Sequence, residues 1–497
     1  MKSANLYLNE LKEKPASYWE NRGEKFALQC FQKTSKNVPA YKKFLKNSKI
    51  ESKKIRTILD FKKLPIIDKK SYLKKYPYED LFVDGKFADK HWVISSTSGS
   101  TGEPFYFPRT DEQDLQYALT AELYLLTNFQ IDKKTTLYIN GFAMGVWIGG
   151  LFTYQAIKHV VSENKYKLSI INPGINKTEI LKAFKKLGPY FDQIIIGGYP
   201  PFVKDLVDYG NENGVNWKKQ SIKFIFSAEG FSENFRDYII SNAGLKNVYM
   251  DTLNHYGTVE MGTKSYETPI SILLRRLALK DNALYKELFG DTHKLPTLTQ
   301  YIPEHFYFEE VKGELICTAQ SGLPLVRYNL RDNGGVYKFD KVIEICKNHG
   351  INLLEEVKKV GIDKTVWKIP FVYLYERSDM SVSFYGANIY PETIRKVLEN
   401  REFLKIFTGK CSIEIEHTKK QNQVLRIHIE LRKGILGNKE MVRNLKDDIV
   451  ETLIKENSEY RNNYEQLGKM AIPKILLYLN GDEKYFKSGG KQKWIRK

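Results

Sequence analysis

The middle of the chain alternates short apolar runs with amphipathic stretches, and this alternation constrains the fold more than any other feature of the sequence. The runs TLYIN (136–140), DQIIIGG (192–198) and IKFIFSAEG (222–230) have the length and composition of buried strands. Residues 175–186 lie between two of them and have helical spacing. Strand-then-helix alternation with glycine at the strand ends predicts an α/β domain with mainly parallel sheets, whose ligand sites lie at the carboxyl ends of the strands.

The two ends of the chain show different patterns. Residues 1–90 are rich in lysine with apolar spacing near 3.6, which predicts helices. Near the C-terminus, IEIEH (413–417) and QVLRIHIELR (423–432) alternate with period two around a polar turn, which predicts a hairpin, and an amphipathic helix and a further strand follow. We therefore expect a large N-terminal domain over 1–376 and a small α+β domain over 379–497 that ends in a flexible basic tail.

The composition limits the class of protein. With 42% hydrophobic and 28% charged residues, the chain is expected to be globular rather than disordered. The net charge of +19 raises nucleic acid, an anionic membrane or a polyphosphate as partners, although the lysines are dispersed as on an ordinary solvated surface.

The cysteines and the longest apolar stretch indicate the compartment. Four widely spaced cysteines form no CxxC pair, and the first residues lack an apolar signal segment. The stretch GFAMGVWIGGLF is shorter than the roughly 20 residues that span a bilayer. These features predict a cytoplasmic protein with reduced thiols, no membrane span and no metal site built from cysteine and histidine.

The segment SSTSGSTGEP (95–104) is the strongest local signal for ligand binding. Its glycines allow backbone N–H groups to converge on an anion, and its hydroxyls add donors, so that it suits phosphate oxygens. It is not the G-x-x-x-x-G-K-[ST] loop, because Glu103 stands where a basic residue would be expected. Taken alone, it is equally consistent with a turn-forming Ser/Gly loop.

The order of the segments that follow resembles the adenylate-forming superfamily, and within it the phenylacetate-CoA ligase branch and its capsule-biosynthesis relatives. The matching segments are TSGSTGEP from Thr97, NGFAMGVWIGGLF from Asn140, GGYPP from Gly197, SAEGFSE from Ser227, YGTVEMG from Tyr256, GELICTAQSGLPLVRYNLRD from Gly313, and YERSDM with YGANIYPETI from Tyr375. The resemblance runs from about Trp92 to the C-terminus, and the segment from Gly313 is its most specific part.

The resemblance implies a site for ATP and Mg²⁺ and assigns residues to it. Asp332 would accept hydrogen bonds from the ribose hydroxyls, and Glu260 would hold Mg²⁺ and serve catalysis. The other nucleotide contacts would come from the phosphate loop Ser98, Gly99, Ser100, Thr101 and Gly102, from the adenine-facing residues Ala228, Glu229, Gly230 and Tyr256, and from Gly257, Thr258 and Arg377.

The resemblance also implies a pocket for a carboxylic acid and a mobile C-terminal domain. Phe142, Trp147 and Tyr199 would line the apolar pocket. Lys491 would bridge the carboxylate and the α-phosphate as the small domain closes, with Asp379 as the hinge.

For several of these residues the sequence leaves a structural role open. Glu260 is also consistent with an exposed loop acid, and Tyr256 with a core tyrosine. Asp332 is also consistent with an Asp that opens the turn DNGG or pairs with Arg327 or Arg331. The pocket aromatics suit ordinary core packing equally well, and the C-terminal lysines suit a solvated tail.

Three departures from the family pattern bear on ATP chemistry. Glu103 stands in the position of a frequent lysine. Val259 precedes Glu260 where the family keeps Thr or Ser for the α-phosphate, so either Thr258 substitutes or the contact is lost. The hinge motif GRxDD reads ERSDM.

Three functional hypotheses follow. The first is an ATP-dependent ligase that forms an acyl-adenylate from a small carboxylic acid and transfers the acyl group to a thiol, with coenzyme A as the expected acceptor. The second is adenylation followed by transfer to an amine, hydroxyl or protein acceptor. The third, disfavoured by the dispersed cations, is a nucleic-acid-binding protein, which would need cations interleaved with exposed aromatics.

Overall fold

A computed structural model describes residues 3–96, 105–145, 148–290, 295–375, 382–384, 387–417, 423–486 and 492–496. The predicted helices of the N-terminal part are confirmed: they are α1 (Ala4–Glu13), α2 (Ala16–Asn37), α3 (Pro39–Asn47) and α4 (Ile58–Phe61).

The central part of the chain alternates strands and helices, as the apolar runs predict. In chain order its elements are β1 (Val93–Ser96), β2 (Tyr106–Arg109), α5 (Asp111–Phe129), β3 (Thr136–Asn140), α6 (Ile148–Ser162), β4 (Leu168–Ile171), α7 (Lys177–Leu187), β5 (Gln193–Gly198), α8 (Pro200–Glu212), β6 (Ser221–Ser227), α9 (Glu233–Ala243), β7 (Thr252–Thr258), β8 (Gly262–Tyr266), α10 (Pro269–Ala278), α11 (Asn282–Phe289), β9 (Thr297–Gln300), β10 (Phe306–Val311), β11 (Glu314–Ala319), β12 (Leu325–Tyr337), α12 (Phe339–Asn348), α13 (Leu353–Lys359) and β13 (Phe371–Leu374).

Most of these strands form one sheet of 11 strands, in the order β10-β11-β12-β13-β9-β8-β7-β6-β5-β3-β4. The strands β4, β3, β5, β6 and β7 pair in parallel. The strands from β7 to β10 in that order pair antiparallel. The α/β class is therefore confirmed, and the parallel pairing is confined to the half of the sheet whose strands are joined by helical crossovers.

The C-terminal unit, by which we mean the described residues from 382 to 496, has a small sheet and a hydrophobic core of its own. Its elements are β14 (Val382–Phe384), β15 (Ala387–Ile389), α14 (Pro391–Leu398), β16 (Phe407–His417), β17 (Gln423–Leu431), α15 (Lys439–Glu456), α16 (Ser458–Leu467), β18 (Lys474–Tyr478) and β19 (Ile495–Arg496). The predicted hairpin is the antiparallel pair β16–β17. The boundary near 376–379 lies outside the described residues and stays a prediction.

The last described segment is packed rather than free, which corrects the expectation of a flexible tail for residues 492–496. Trp494 is only 3% exposed. Its carbonyl accepts the N–H of Ile413 at 2.8 Å, and β19 continues this contact as a parallel partner of β16. The side-chain amide of Gln492 donates to the carbonyl of Cys411 at 3.2 Å. The segment therefore forms the edge of the C-terminal sheet.

The four cysteines are free and buried. Among the described helices, none combines the length and apolar character needed to cross a membrane.

Candidate active site

Loops from four strands meet at one edge of the large sheet because the parallel strands are in register. Gly197 at the end of β5 lies opposite Asn140 of β3 and opposite Ile225 of β6. Ser227, the last residue of β6, lies opposite His255 of β7. The segments that follow these strands therefore leave the sheet at the same edge, which is where open α/β sheets bind ligands.

The GGYPP turn packs tightly against the loop that carries Phe142. A Cβ atom at Gly197 would lie 2.6 Å from the Tyr138 hydroxyl and 2.8 Å from Cε2 of Phe142, so this position has room only for glycine. Phe142 is buried, with 5% exposure. The predicted pocket residue Phe142 thus lies at the predicted edge of the sheet.

The turn Ala228–Gly230 begins directly after β6 and has a strained start. Ala228 has a φ of 78°, in the left-handed region that is costly for a residue with a Cβ. The side-chain amide of Asn254 donates to the carbonyl of Glu229 at 3.0 Å and holds the turn against β7. Backbone strain of this kind persists where surrounding contacts enforce it, and it clusters at ligand-binding positions.

The carboxylate of Glu229 is enclosed by three side chains, two of which come from the C-terminal unit. Arg395 of α14 donates to Oε1 at 2.6 Å, the indole N–H of Trp494 donates to Oε2 at 3.1 Å, and the Tyr199 hydroxyl also donates to Oε2. Burial raises the pKa of Glu229 above its usual range, and the Arg395 charge opposes this shift. The predicted pocket residue Tyr199 therefore directs its polar end at Glu229.

Tyr256 and Asp332, the predicted adenine and ribose residues, are in direct contact. The Tyr256 hydroxyl donates to Oδ2 of Asp332 at 2.5 Å. Both residues are buried, with 6% and 5% exposure. The ammonium of Lys264 on β8 lies 3.9 Å from the centroid of the Tyr256 ring. A hydrogen bond to a carboxylate is short and directional, so the pair fixes the orientation of both groups.

The structure bears on both alternative roles of Asp332, the start of a DNGG turn and a partner of Arg327 or Arg331. Asp332 lies inside β12, and the two glycines that follow it pair with β13, so the alternative of a DNGG turn is wrong. Arg327 pairs with Glu309, its Nε lying 3.0 Å from Oε2. Arg331 forms an ion pair with Asp68. Both arginines thus have other acidic partners.

Thr258 and Glu260 lie where β7 leaves the sheet. The hydroxyl oxygen of Thr258 is buried and has no hydrogen-bond partner among the described residues. A buried hydroxyl in this state is costly unless a ligand or water meets it, so the position suits a contact with a bound group. Glu260 has 9% exposure, which excludes the alternative of an exposed loop acid.

The described residues offer no closed protein cage for a metal ion. Among them, no group of three or more His, Cys, Asp or Glu side chains is arranged to hold one. A single carboxylate such as Glu260 fits Mg²⁺ only as an ion that keeps waters and is bound largely through substrate phosphates, which is the usual mode for this ion.

Part of the predicted site lies outside the described residues. These positions are Ser98, Gly99, Ser100, Thr101, Gly102, Trp147, Arg377, Asp379 and Lys491. The strands on either side of the phosphate loop are described: β1 and β2 pair antiparallel, with Ser96 opposite Tyr106. Buried Arg109 on β2 donates to the Ser95 hydroxyl at 2.6 Å and so ties the two strands together.

Two further ion pairs join the C-terminal unit to α8 of the large unit, by which we mean residues 3–375. Lys410 lies 2.8 Å from Asp205, and Arg432 lies 3.1 Å from Asp208. A groove of about 1430 Å³ runs between the units beside the pair Arg432–Asp208 and is lined mainly by charged and polar side chains.

Sequence reasoning missed three residues of this region. Arg395 and Trp494 contact Glu229 from the C-terminal unit, and Lys264 covers the Tyr256 ring. The one available signal was the tryptophan within the lysine-rich segment KQKWIRK, since a large aromatic among solvated cations is more often packed than exposed.

No family model matches the chain, and no curated protein matches it. Several solved structures do. One is 2-hydroxyisobutyryl-CoA ligase in the postadenylation state with HIB-AMP, with 13% identity, 98% of this chain and 91% of that chain covered, and a TM-score of 0.64.

A second is the same ligase with 2-HIB-AMP and CoA in the thioesterification state, with 14% identity, 98% and 91% coverage and a TM-score of 0.55. A third is the acyl acid amido synthetase AtGH3.15 in complex with 2,4-DB, with 12% identity, 96% and 89% coverage and a TM-score of 0.58. The TM-scores show a shared fold, and at identities of 12–14% the similarity shows the fold alone. The fold is that of adenylate-forming enzymes, as the sequence predicts.

Proposed function

We propose that the protein is an ATP-dependent ligase that activates a carboxylic acid as an acyl-adenylate and transfers the acyl group to the thiol of coenzyme A. The observation that carries this proposal is the contact between Tyr256 and Asp332. It joins a flat ring and a carboxylate, groups suited to adenine and ribose, beside the carboxyl ends of the parallel strands.

The first half of the proposed reaction is attack of a substrate carboxylate oxygen on the α-phosphorus of ATP. The new P–O bond gives the acyl-adenylate, and the bond to the β-phosphate breaks to release pyrophosphate. In the second half, the acceptor sulfur attacks the acyl carbon, its proton leaves to solvent, and AMP departs. Both halves need positive charge and oriented donors, because negative charges must approach each other.

In this reaction each predicted site residue has the role that the sequence resemblance implies. Asp332 holds the ribose, and the Tyr256 ring faces adenine beside the turn Ala228–Gly230. Thr258 would contact the α-phosphate in place of Val259, whose side chain has no donor, and its buried hydroxyl without a hydrogen-bond partner among the described residues supports this role. The loop 98–102 holds the outer phosphates, and Lys491 bridges the two reacting anions.

Mg²⁺ is proposed to bind through Glu260 and the phosphates of ATP. When bound, it would neutralise phosphate charge that otherwise repels the incoming carboxylate. Glu260 would supply a carboxylate oxygen to hold the ion.

A second candidate is transfer of the acyl group to an amine, which forms an amide. The similarity in fold to an acyl acid amido synthetase supports it, at a TM-score of 0.58. By contrast, the hypothesis of nucleic-acid binding loses its main support, because the tryptophan of KQKWIRK is buried rather than offered for base stacking.

We place the protein in the phenylacetate-CoA ligase branch of the superfamily on the resemblance of the segment Gly313–Asp332 to that branch. An aromatic or otherwise apolar acid is the substrate class that this placement implies, and buried Phe142 at the sheet edge suits it.

The test is acid-dependent exchange of pyrophosphate into ATP across a panel of aryl, fatty and amino acids, with Mg²⁺ and without coenzyme A. Exchange with one class of acid supports adenylation. Product analysis after adding coenzyme A or an amine then separates the two acceptors. Absence of exchange with every acid, in protein shown to bind ATP, refutes the proposal.

A further inference from the structure

Glu229 is the point at which the C-terminal unit touches the turn that is proposed to face adenine. Its carboxylate accepts bonds from Arg395 and Trp494. All three side chains are buried, with 9%, 5% and 3% exposure for Glu229, Arg395 and Trp494. The guanidinium of Arg395 also lies 4.7 Å from the centroid of the Trp494 ring, so the two donors support each other.

Trp494 connects both units through separate groups. Its carbonyl accepts the N–H of Ile413 in the C-terminal sheet at 2.8 Å, while its indole N–H reaches Glu229 in the large unit at 3.1 Å. Trp494 lies three residues after Lys491 in the sequence. Three residues of chain span at most about 11 Å, so an anchor at Trp494 limits the reach of that lysine.

We propose that Arg395 and Trp494 form a latch on Glu229 that holds the C-terminal unit closed over the nucleotide edge of the sheet and positions the segment carrying Lys491 for adenylation. This inference rests on the proposed function. Arg395 and Trp494 are positioning residues: they contact Glu229 and act through the placement of the closing unit.

The chemistry of the contact suits a latch that opens and closes. A buried ion pair gains Coulomb energy but loses the hydration of both charges, so its net contribution is small. When the units separate, both groups regain water, and opening is therefore not prohibitive. Removal of one partner is different, because the closed form then buries an uncompensated charge and becomes disfavoured.

A second contact between the units, a hydrogen bond, lies beside the ion pair. The hydroxyl of Ser232, the N-cap of α9, donates to Oε2 of Glu399, the C-cap of α14, at 2.7 Å. Glu399 also lies 3.6 Å from Arg395. Helix α14 and its C-cap thus meet the large unit at two positions about one turn apart, which fixes the orientation of the helix and not only its distance.

The test uses three variants of the full chain and one control. Arg395→Met removes the charge at similar volume, Arg395→Lys restores it, and Trp494→Phe removes the N–H but keeps a ring. The control is Lys396→Met on the same helix, since Lys396 pairs with Glu456 within its own unit and is exposed. Circular dichroism checks folding, pyrophosphate exchange gives kcat and the KM for ATP, and small-angle X-ray scattering gives the radius of gyration.

We expect Arg395→Met to lower the kcat of exchange by at least about tenfold, the loss typical of a hydrogen bond to a charged group, with the KM for ATP unchanged within about twofold. Trp494→Phe should lower kcat by a smaller factor, and Arg395→Lys should recover part of it. Both disruptive variants should show a larger radius of gyration than wild type. The control should match wild type in both measurements.

A raised KM with unchanged kcat would overturn the latch, because it would mean that the turn only binds nucleotide. An unchanged radius of gyration in the disruptive variants would also overturn it. If wild type shows no exchange with any acid, the proposed function fails by itself. An expanded Arg395→Met variant would then still support the latch as a contact between units, and an unexpanded one would refute it.

Discussion

Replacing Tyr256 by Phe removes one hydroxyl group and keeps the ring under the Lys264 ammonium. The lost group donates to a buried carboxylate, Asp332, at 2.5 Å. A hydrogen bond to a charged group contributes about 1.5–3 kcal/mol to stability. We therefore expect Tyr256→Phe to lower the free energy of unfolding by an amount in that range, which chemical denaturation of the full chain measures.

The same change tests the ribose assignment. Without the hydroxyl, the carboxylate of Asp332 is no longer held in one orientation, so the dissociation constant of ATP should rise by about tenfold, equivalent to 1.4 kcal/mol. Asp332→Ala should raise it further because the acceptor itself is lost. Since the two groups act as a pair, the double variant should bind ATP about as weakly as Asp332→Ala alone, with a coupling of about 1 kcal/mol or more.

Equilibrium titration of ATP against the wild type, the two single variants and the double variant provides the cycle. Lys280→Ala, at an exposed helix end, serves as a mock substitution. Strictly additive effects of Tyr256→Phe and Asp332→Ala would refute the idea that the pair acts as one unit. Wild-type affinity in Asp332→Ala would remove that residue from the ribose site.

Three further predictions concern catalysis, the metal ion and pH. Lys491→Ala should abolish pyrophosphate exchange and leave ATP binding nearly intact; unchanged exchange would assign the catalytic lysine elsewhere. Glu260→Gln should raise the Mg²⁺ concentration needed for half-maximal exchange by about tenfold, and an identical Mg²⁺ titration would contradict its role. Burial lowers the pKa of His255 to about 3 and of His305 to about 4, from 6.5 in the unfolded chain. The folded state does not take up these protons, so stability is full above pH 6.5 and falls by up to about 2.7 kcal/mol per pH unit as pH drops toward 4. Denaturation at pH 7, 6 and 5 measures the slope, and a flat profile would refute it.

Three strands of the parallel half, β3, β5 and β6, were predictable because they are buried on both faces and therefore form continuous apolar runs in the sequence. The run 192–198 contains β5 (Gln193–Gly198), and the run 222–230 contains all of β6 (Ser221–Ser227) except its first residue. The antiparallel half was less predictable. Its strand β9 reads TLTQ and is buried throughout, and its polar side chains are satisfied by distant partners: Gln300, for example, donates to the carbonyl of Ile369 at 2.8 Å.

The candidate site depends on contacts that no local pattern encodes. Tyr256 and Asp332 are 76 residues apart in the chain, and only the family resemblance placed them in one site. Trp494 is 265 residues from Glu229 and lies in a segment whose lysines suggested a solvated tail. Its burial comes from docking against another part of the fold, which short-range periodicity does not register.

The ion pairs between the units share one polarity. Among the described residues, each acid belongs to the large unit and each base to the C-terminal unit. The charges of these pairs therefore attract one another across the gap between the units. At ordinary ionic strength this attraction extends about 8 Å, so it guides the last part of the approach and fades once the gap is wider. A higher salt concentration should therefore shorten the time for which the two units stay in contact.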